Sequence, residues 1–345
     1  MKTLIAAIAI LTCAGAVAPG ARAGTYTLNP LKKADKLGDV LPVALTDGGL
    51  SVGTVNITGS GSLAYEALPT NLSYQDYCGV NGTADLTQLT SISPYSFSEF
   101  VVGDCANQTA FLYNLGSQIG AQVAYPGSFY TVLTGVNGGG IAVGAYLDSQ
   151  DIYHGFYYLD GSYIKFDPLG SYGTFAQGMN TNSTVFGTYQ NAAEGDYNSG
   201  FLLDIYGNYT IINAPNASYT EITGLNSQNQ AAGGFFLNQS GAGETAFAWQ
   251  NGAFTVFPLA SKWSRAVAIN ENGTVAGNYF DASGHQQGFV WQPSTGQVIT
   301  VSGPAGTKYV TLDAINNQHA QVTGTYVKGH KSIAFTATCS GANCF

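Results

Sequence analysis

Charge is what this chain has least of. Asp, Glu, Lys and Arg together make up 9% of its 345 residues, against about a quarter in an ordinary globular domain. The little charge there is leans acidic, with 20 Asp and Glu against 11 Lys and Arg. With no basic cluster, such a surface repels phosphate backbones and anionic headgroups, so nucleic acid and membrane-surface partners are excluded. Beyond the N-terminus no stretch is apolar enough to span a bilayer, which needs about 20 residues. No segment carries a convincing helical period. Neither Cys-x-x-Cys nor a His pair at ligand spacing occurs, so no metal finger is expected. A nucleophile elbow, a His-Glu-x-x-His helix and a phosphate loop are missing too.

The N-terminus carries a charge, Lys2, then an apolar run from Leu4 to Leu11, then small residues ending Ala21-Arg22-Ala23. This is the pattern of a secretory signal peptide over residues 1–23, with cleavage before Gly24 and a single domain over 24–345. Cys13 raises a rival reading as a lipoprotein cysteine, but Thr12 suits that site poorly. Cleavage removes Lys2 and Arg22 and no acid, leaving 9 basic and 20 acidic residues and moving the formal charge from -9 to -11. The expected location is periplasmic or extracellular. Cys78, Cys105, Cys339 and Cys344 then form an even set, which in an exported chain favours disulfides. Of the three connectivities, the local pairs Cys78–Cys105 and Cys339–Cys344 are preferred.

What the chain has in quantity is glycine, 45 residues, and part of it is periodic. Gly53, Gly103, Gly144, Gly187, Gly233, Gly277 and Gly324 are separated by 50, 41, 43, 46, 44 and 47 residues. Each is followed by a small residue and an aromatic, from Ala64-Tyr65 through Gly155-Phe156 to Ala334-Phe335. Ahead of most lies an apolar residue and an Asn, as in Val136-Asn137 and Ile269-Asn270; the first two units carry Leu45-Thr46 and Ile92-Ser93 instead. Within a unit the alternation has period two, and Asp160-Gly161 marks a hairpin. Four short strands per ~45 residues is the blade period of a β-propeller. The expected fold is therefore all-β, a β-propeller of about seven four-stranded blades. Its units start near residues 44, 91, 135, 178, 224, 268 and 314. The incomplete last blade is expected to take its third and fourth strands from residues 24–43, closing the ring with both termini. The glycine-bearing strand is placed first, nearest the axis, where glycine permits close backbone approach. Cys78 and Cys105 then reach the same face, as a clasp between neighbouring blades.

The recurring Ile-Asn-x-x-Gly-x-x-x-Gly-x-Tyr followed by His-Gly/Ala-Phe resembles the extracellular HAF repeat proteins, found mostly in bacteria. Val136-Asn137 to His154-Gly155-Phe156 and Ile269-Asn270 to Gly288-Phe289 match best. One unit alone keeps the histidine; Thr109, Ser199, Thr245 and Gln287 replace it elsewhere. The resemblance spans nearly all of residues 44–335. It implies an exported β-propeller and no established catalytic residues.

The four histidines, His154, His285, His319 and His330, occupy different repeat positions and form no cluster. Variable loops after the glycine strands hold Asp148, Asp151, Glu194, Asp196, Glu244 and Asp281. They share a face with Tyr146, Tyr172, Tyr189, Tyr219, Trp263 and Tyr279. The plain account of such loops is solvated hairpins; the functional one is a ligand face for a protein, a glycan or Ca²⁺, although no Asp-x-Asp-x-Asp-Gly loop is present. The expectation is a monomeric exported scaffold binding protein or polysaccharide, with no cofactor and no catalysis. The alternatives are a carboxylate-dependent glycan hydrolase or lyase, and a purely structural surface protein.

Overall fold

A computed structural model describes residues 25–31, 38–57, 61–68, 71–78, 87–93, 100–191, 198–237, 243–318, 320–341 and 344. Residues 1–23, expected to form a signal peptide, and Glu194, Asp196 and His319 lie outside the described residues. Among these residues 28 strands build seven four-stranded antiparallel sheets. Two of the sheets touch through a single parallel pair, Asn198 with Tyr219. The sheets are the blades of a β-propeller. Blade one runs from Gly38–Leu45 to Asn71–Gln75, blade two from Thr87–Ile92 to Ile119–Val123, and blade three from Tyr130–Val136 to Ser162–Phe166. Blade four runs from Ser171–Met179 to Tyr209–Ile212, blade five from Tyr219–Leu225 to Ala253–Val256, and blade six from Ser264–Ile269 to Val298–Val301. Blade seven comprises Val310–Ile315, Val322–Lys328 and Lys331–Ser340, completed by Thr25–Pro30 from the other end of the chain. Both termini do close the ring.

The order of strands within a blade differs from expectation by one place. Thr25–Pro30 is the outermost strand of blade seven, not its third. Val40–Ala44 belongs to Gly38–Leu45, which begins blade one. The glycine strand is accordingly second, and each innermost strand lies just ahead of the unit as delimited by sequence. Alternation marks where strands are but carries no information on their distance from the axis. The innermost strands end at Leu45, Ile92, Val136, Met179, Leu225, Ile269 and Ile315, and these seven apolar residues line an axial cavity of about 230 Å³. The apolar residue that precedes each Asn or its substitute is thus the axial plug.

Glycine and aromatic meet in register in every blade: Gly53 with Tyr65, Gly103 with Phe111, Gly144 with Phe156, Gly187 with Phe201, Gly233 with Phe247, Gly277 with Phe289 and Gly324 with Phe335. All seven aromatics are fully buried. Phe201, for example, packs with Val143 and Phe166 of the preceding blade. Burying one such ring stabilises by about 1.5–3 kcal/mol. Disulfides join Cys78 to Cys105, between blades one and two, and Cys339 to Cys344 at the end of blade seven.

Candidate functional site: a tyrosine-lined cavity at blade four

Each innermost strand skips one residue in its register with the second strand, a β-bulge at the same place in all seven blades. In blade four the innermost strand, Ser171–Met179, is nine residues long and carries a second shift, between Ser171 and Gly173. A bulge bends a strand and re-aims side chains. Here it accompanies Tyr172, which is 57% exposed. Beside it opens a cavity of about 340 Å³, inside the range of small-ligand sites.

Its walls come from three blades. Asp151 and Tyr153 belong to blade three, Thr174, Phe175, Gln177 and Tyr189 to blade four, and Tyr219 to blade five. Tyr153 meets Phe175 edge-on, with ring centroids 5.5 Å apart. Among the described residues no Lys or Arg lines the cavity. Asp151 sits at the rim in the left-handed region, φ 60°, which Asp tolerates better than most residues.

Gln177 and Tyr219 of the wall also touch an ionic cluster behind it. Arg265 bridges Glu221 at 2.7 Å and Glu244 at 3.1 Å, and Gln177 Nε2 donates to Glu221 Oε1. Burial pushes the Glu244 carboxyl up to about 7, opposed by Arg265 and reinforced by Glu221. Burial and the neighbouring Glu221 raise the Tyr219 hydroxyl above the ordinary tyrosine range. The trio holds two carboxylates for one guanidinium.

Thr174, at 1% exposure, lines the cavity with a hydroxyl that has no hydrogen-bond partner. A buried hydroxyl without a partner costs about 1–3 kcal/mol.

Among the described residues, the loop carboxylates expected to form one ligand face, Asp148, Asp151, Glu244 and Asp281, do not converge. Asp148 accepts the backbone N–H groups of Gln150 and Ile152, which hold its carboxyl below the usual range, and it faces His154 Nε2 at 3.2 Å. Asp281 likewise accepts from Ser283 and His285 and is lowered for the same reason. Glu244 is buried on Arg265 rather than presented to solvent. Trp263 packs on Phe280, with centroids 5.2 Å apart. Of the described loop carboxylates, Asp151 alone lines that cavity. Of the flanking aromatics, Tyr172, Tyr189 and Tyr219 do gather there, while Tyr146 stacks on Tyr125 and Tyr279 bonds Thr300. Sequence does not single out Tyr153, Thr174 and Phe175, because nothing in the repeat distinguishes them until the extra bulge is seen. His154, the histidine of the family motif, is held between Asp148 and Asp167, with Nδ1 at 2.9 Å from the latter.

No protein-family model matches the chain, and no curated protein matches it. Solved structures do. A prolyl endopeptidase, described for the role of inter-domain dynamics in catalysis and specificity, superposes with a TM-score of 0.61 at 10% identity over 88% of this chain and 50% of its own. A puromycin-hydrolyzing peptidase of Mycobacterium tuberculosis gives 0.61 at 8% identity over 90% of this chain and 53% of its own. A chain of a mitotic checkpoint complex gives 0.51 at 10% identity, over 97% and 98%. At such identities the likeness is one of fold. The chain spans about half the length of the peptidase structures it matches. These findings correct the expected function. The scaffold for protein or polysaccharide, with glycan cleavage or a structural role as alternatives, gives way: the matches include several peptidase structures, and Asp148, Asp281 and Glu244 are engaged in turns and an ion pair.

Proposed function

We propose that this chain is the substrate-handling propeller of a peptidase system. It receives a peptide at the tyrosine-lined cavity of blade four, while a separate catalytic unit cleaves the bond. The cavity carries the proposal: about 340 Å³, rimmed by exposed aromatics, on a fold whose matches include peptidase structures. The division of labour is supported by His154. Both its ring nitrogens are occupied by carboxylates, Asp148 and Asp167, so neither is turned toward a substrate hydroxyl. The chain is further read as an exported member of the HAF repeat family, its leader ending at Ala21-Arg22-Ala23. Two disulfides agree with an oxidising compartment. Among the described residues no helix is long and apolar enough to cross a membrane.

The test is calorimetric titration of the full chain with a panel of short unstructured peptides. Binding is expected, weakened about tenfold or more in Tyr172→Ala, an exposed position whose truncation leaves the core intact. Peptides that bind neither protein, or both equally, sink the proposal.

A further inference from the structure

Two segments rim the cavity on the side of blades three and four, and one side chain joins them. The first is the turn between Ala142–Leu147 and Tyr153–Leu159, which leads Asp151, Ile152 and Tyr153 to the cavity. The second is the link from Ser162–Phe166 to Ser171–Met179, which leads to Tyr172, Gly173 and Phe175. Asp148 opens the turn, where its Oδ1 accepts the N–H groups of Gln150 and Ile152 at 2.8 and 3.0 Å. Asp167 opens the link, just ahead of the turn in which the Ser171 N–H donates to the Pro168 carbonyl. Between them stands His154, with Nε2 3.2 Å from Asp148 Oδ2 and Nδ1 2.9 Å from Asp167 Oδ2. Blade six holds half of this arrangement. Gln287 takes the repeat position of His154, and its Nε2 donates to Asp281 Oδ2 at 3.4 Å, again across six residues. In the place of Asp167 blade six has Ser302, and Gln287 Oε1 is buried without a partner. The two-sided form stands in the blade that borders the cavity.

A carboxylate only accepts hydrogen bonds, and a neutral imidazole donates from one nitrogen alone. The doubly protonated ring donates to Asp148 and Asp167 together, whereas the neutral ring turns a bare nitrogen on one of them. Three further titratable groups meet this cluster. Lys165 Nζ is 3.1 Å from Asp167 Oδ2, the Tyr146 ring lies 5.2 Å from the imidazole, and Tyr209 of blade four feels the Asp167 charge. With an imidazolium the charges balance, His154 and Lys165 against Asp148 and Asp167. We infer that His154 is a positioning residue for the cavity, an imidazolium clasp that holds the two rims together and slackens when the ring loses its proton. This rests on the peptide reading for what the cavity binds and adds a pH-dependent control of that binding. The clasp is whole at low pH, and affinity falls as pH rises across the range in which imidazole changes charge, about pH 5 to 8.

The experiment compares the full chain with His154→Gln, which copies the blade-six arrangement, keeping a donor for Asp148 and giving up the charge. The probe is acetyl-Ala-Phe-Ala-Ala amide, which has no group that titrates in this range. By calorimetry the wild type is expected to bind it about fivefold or more tighter than the variant at about pH 5.5, and within about twofold of it at about pH 8. Glu244, which burial pushes up to about 7, titrates in both proteins, so the affinity ratio reads His154. A second measurement needs no peptide. Amide hydrogen exchange over residues 148–153 and 167–172, compared at matched low pH, is expected to be about fivefold or more faster in His154→Gln. If the peptide binds neither protein while exchange behaves so, the peptide reading falls and the clasp stands. If the affinity ratio is the same at both pH values, the inference falls and the peptide reading stands. Exchange unchanged by the substitution overturns the inference whatever the peptide does. Should His154→Gln fail to fold, Asp167→Asn, with a neutral amide in place of the second carboxylate, is read in the same way.

Discussion

An added Cβ at Gly144 would stand 1.9 Å from the carbonyl oxygen of Val132 on the innermost strand, and the same holds within 2.3 Å for its six counterparts. None of these seven has a positive φ, so the requirement is space, not backbone freedom. The bulge brings that carbonyl against the second strand, and the aromatic of the third strand covers the glycine. Gly144→Ala is expected to destabilise the chain by about 3 kcal/mol, as an overpacked core with backbone on one side; urea denaturation reads this, and a loss within experimental error refutes the account. A second residue-scale result is Asp313. It occupies the bulged position at which the Thr134 and Thr223 hydroxyls donate to Ala176 and Ala266 of the next blade. Burial pushes its carboxyl up to about 7 from an ordinary 3.8. The folded chain then holds a proton that the unfolded chain has released, so the stabilising contribution is present at low pH and lost as pH rises through that window. Relative to Asp313→Asn, the wild type is expected to lose stability between about pH 5 and about pH 8, by about 1.4 kcal/mol for each step of one in pH below the folded-state value. Parallel denaturation curves at the two pH values check it; a constant difference between the proteins contradicts it.

Among the elements, the turn between innermost and second strands explains the repeated Asn. Asn180 Oδ1 accepts the N–H groups of Asn182 and Thr184, closing its own turn, as does Asn270 with Asn272 and Thr274. The amide of each then reaches the next blade: Asn180 Nδ2 to Asn226 O, Asn226 to Asn270 O, Asn270 to Asn316 O, and Asn316 to Thr46 O across the ring closure. One side chain thus serves both the turn and the circle. Asn270→Asp keeps the turn acceptor and replaces the donor with a charge facing a carbonyl, whereas Asn270→Ala loses both. Each is expected to cost about 1–3 kcal/mol, seen as a lower denaturation midpoint. An Asp variant as stable as wild type argues that the inter-blade bond contributes nothing.

For the whole molecule, repeat symmetry is the background against which the site shows. Blades three and five satisfy their buried threonines and blade four does not; blade four also carries the extra bulge and adjoins the cavity. The ring supplies seven near-equivalent frames, and function is read where one frame departs. The resemblance to peptidase propellers concerns those frames, and the departure belongs to this chain.

The sequence by itself determined the blade count, the ring closure and the glycine–aromatic pairs, because a period near 45 residues and strict alternation are local and repeated seven times. It also indicated that Tyr172, Tyr189 and Tyr219 share a face. Tertiary structure alone decided which strand lies nearest the axis, since alternation is the same at any radius. It decided that Glu244 is buried on Arg265, since that partner lies on a strand of the next blade. And it decided the meaning of Pro168, a residue that reads as a strand terminator in one dimension. Its missing N–H leaves Thr174 without the partner that Thr131 and Thr220 have in the sister blades.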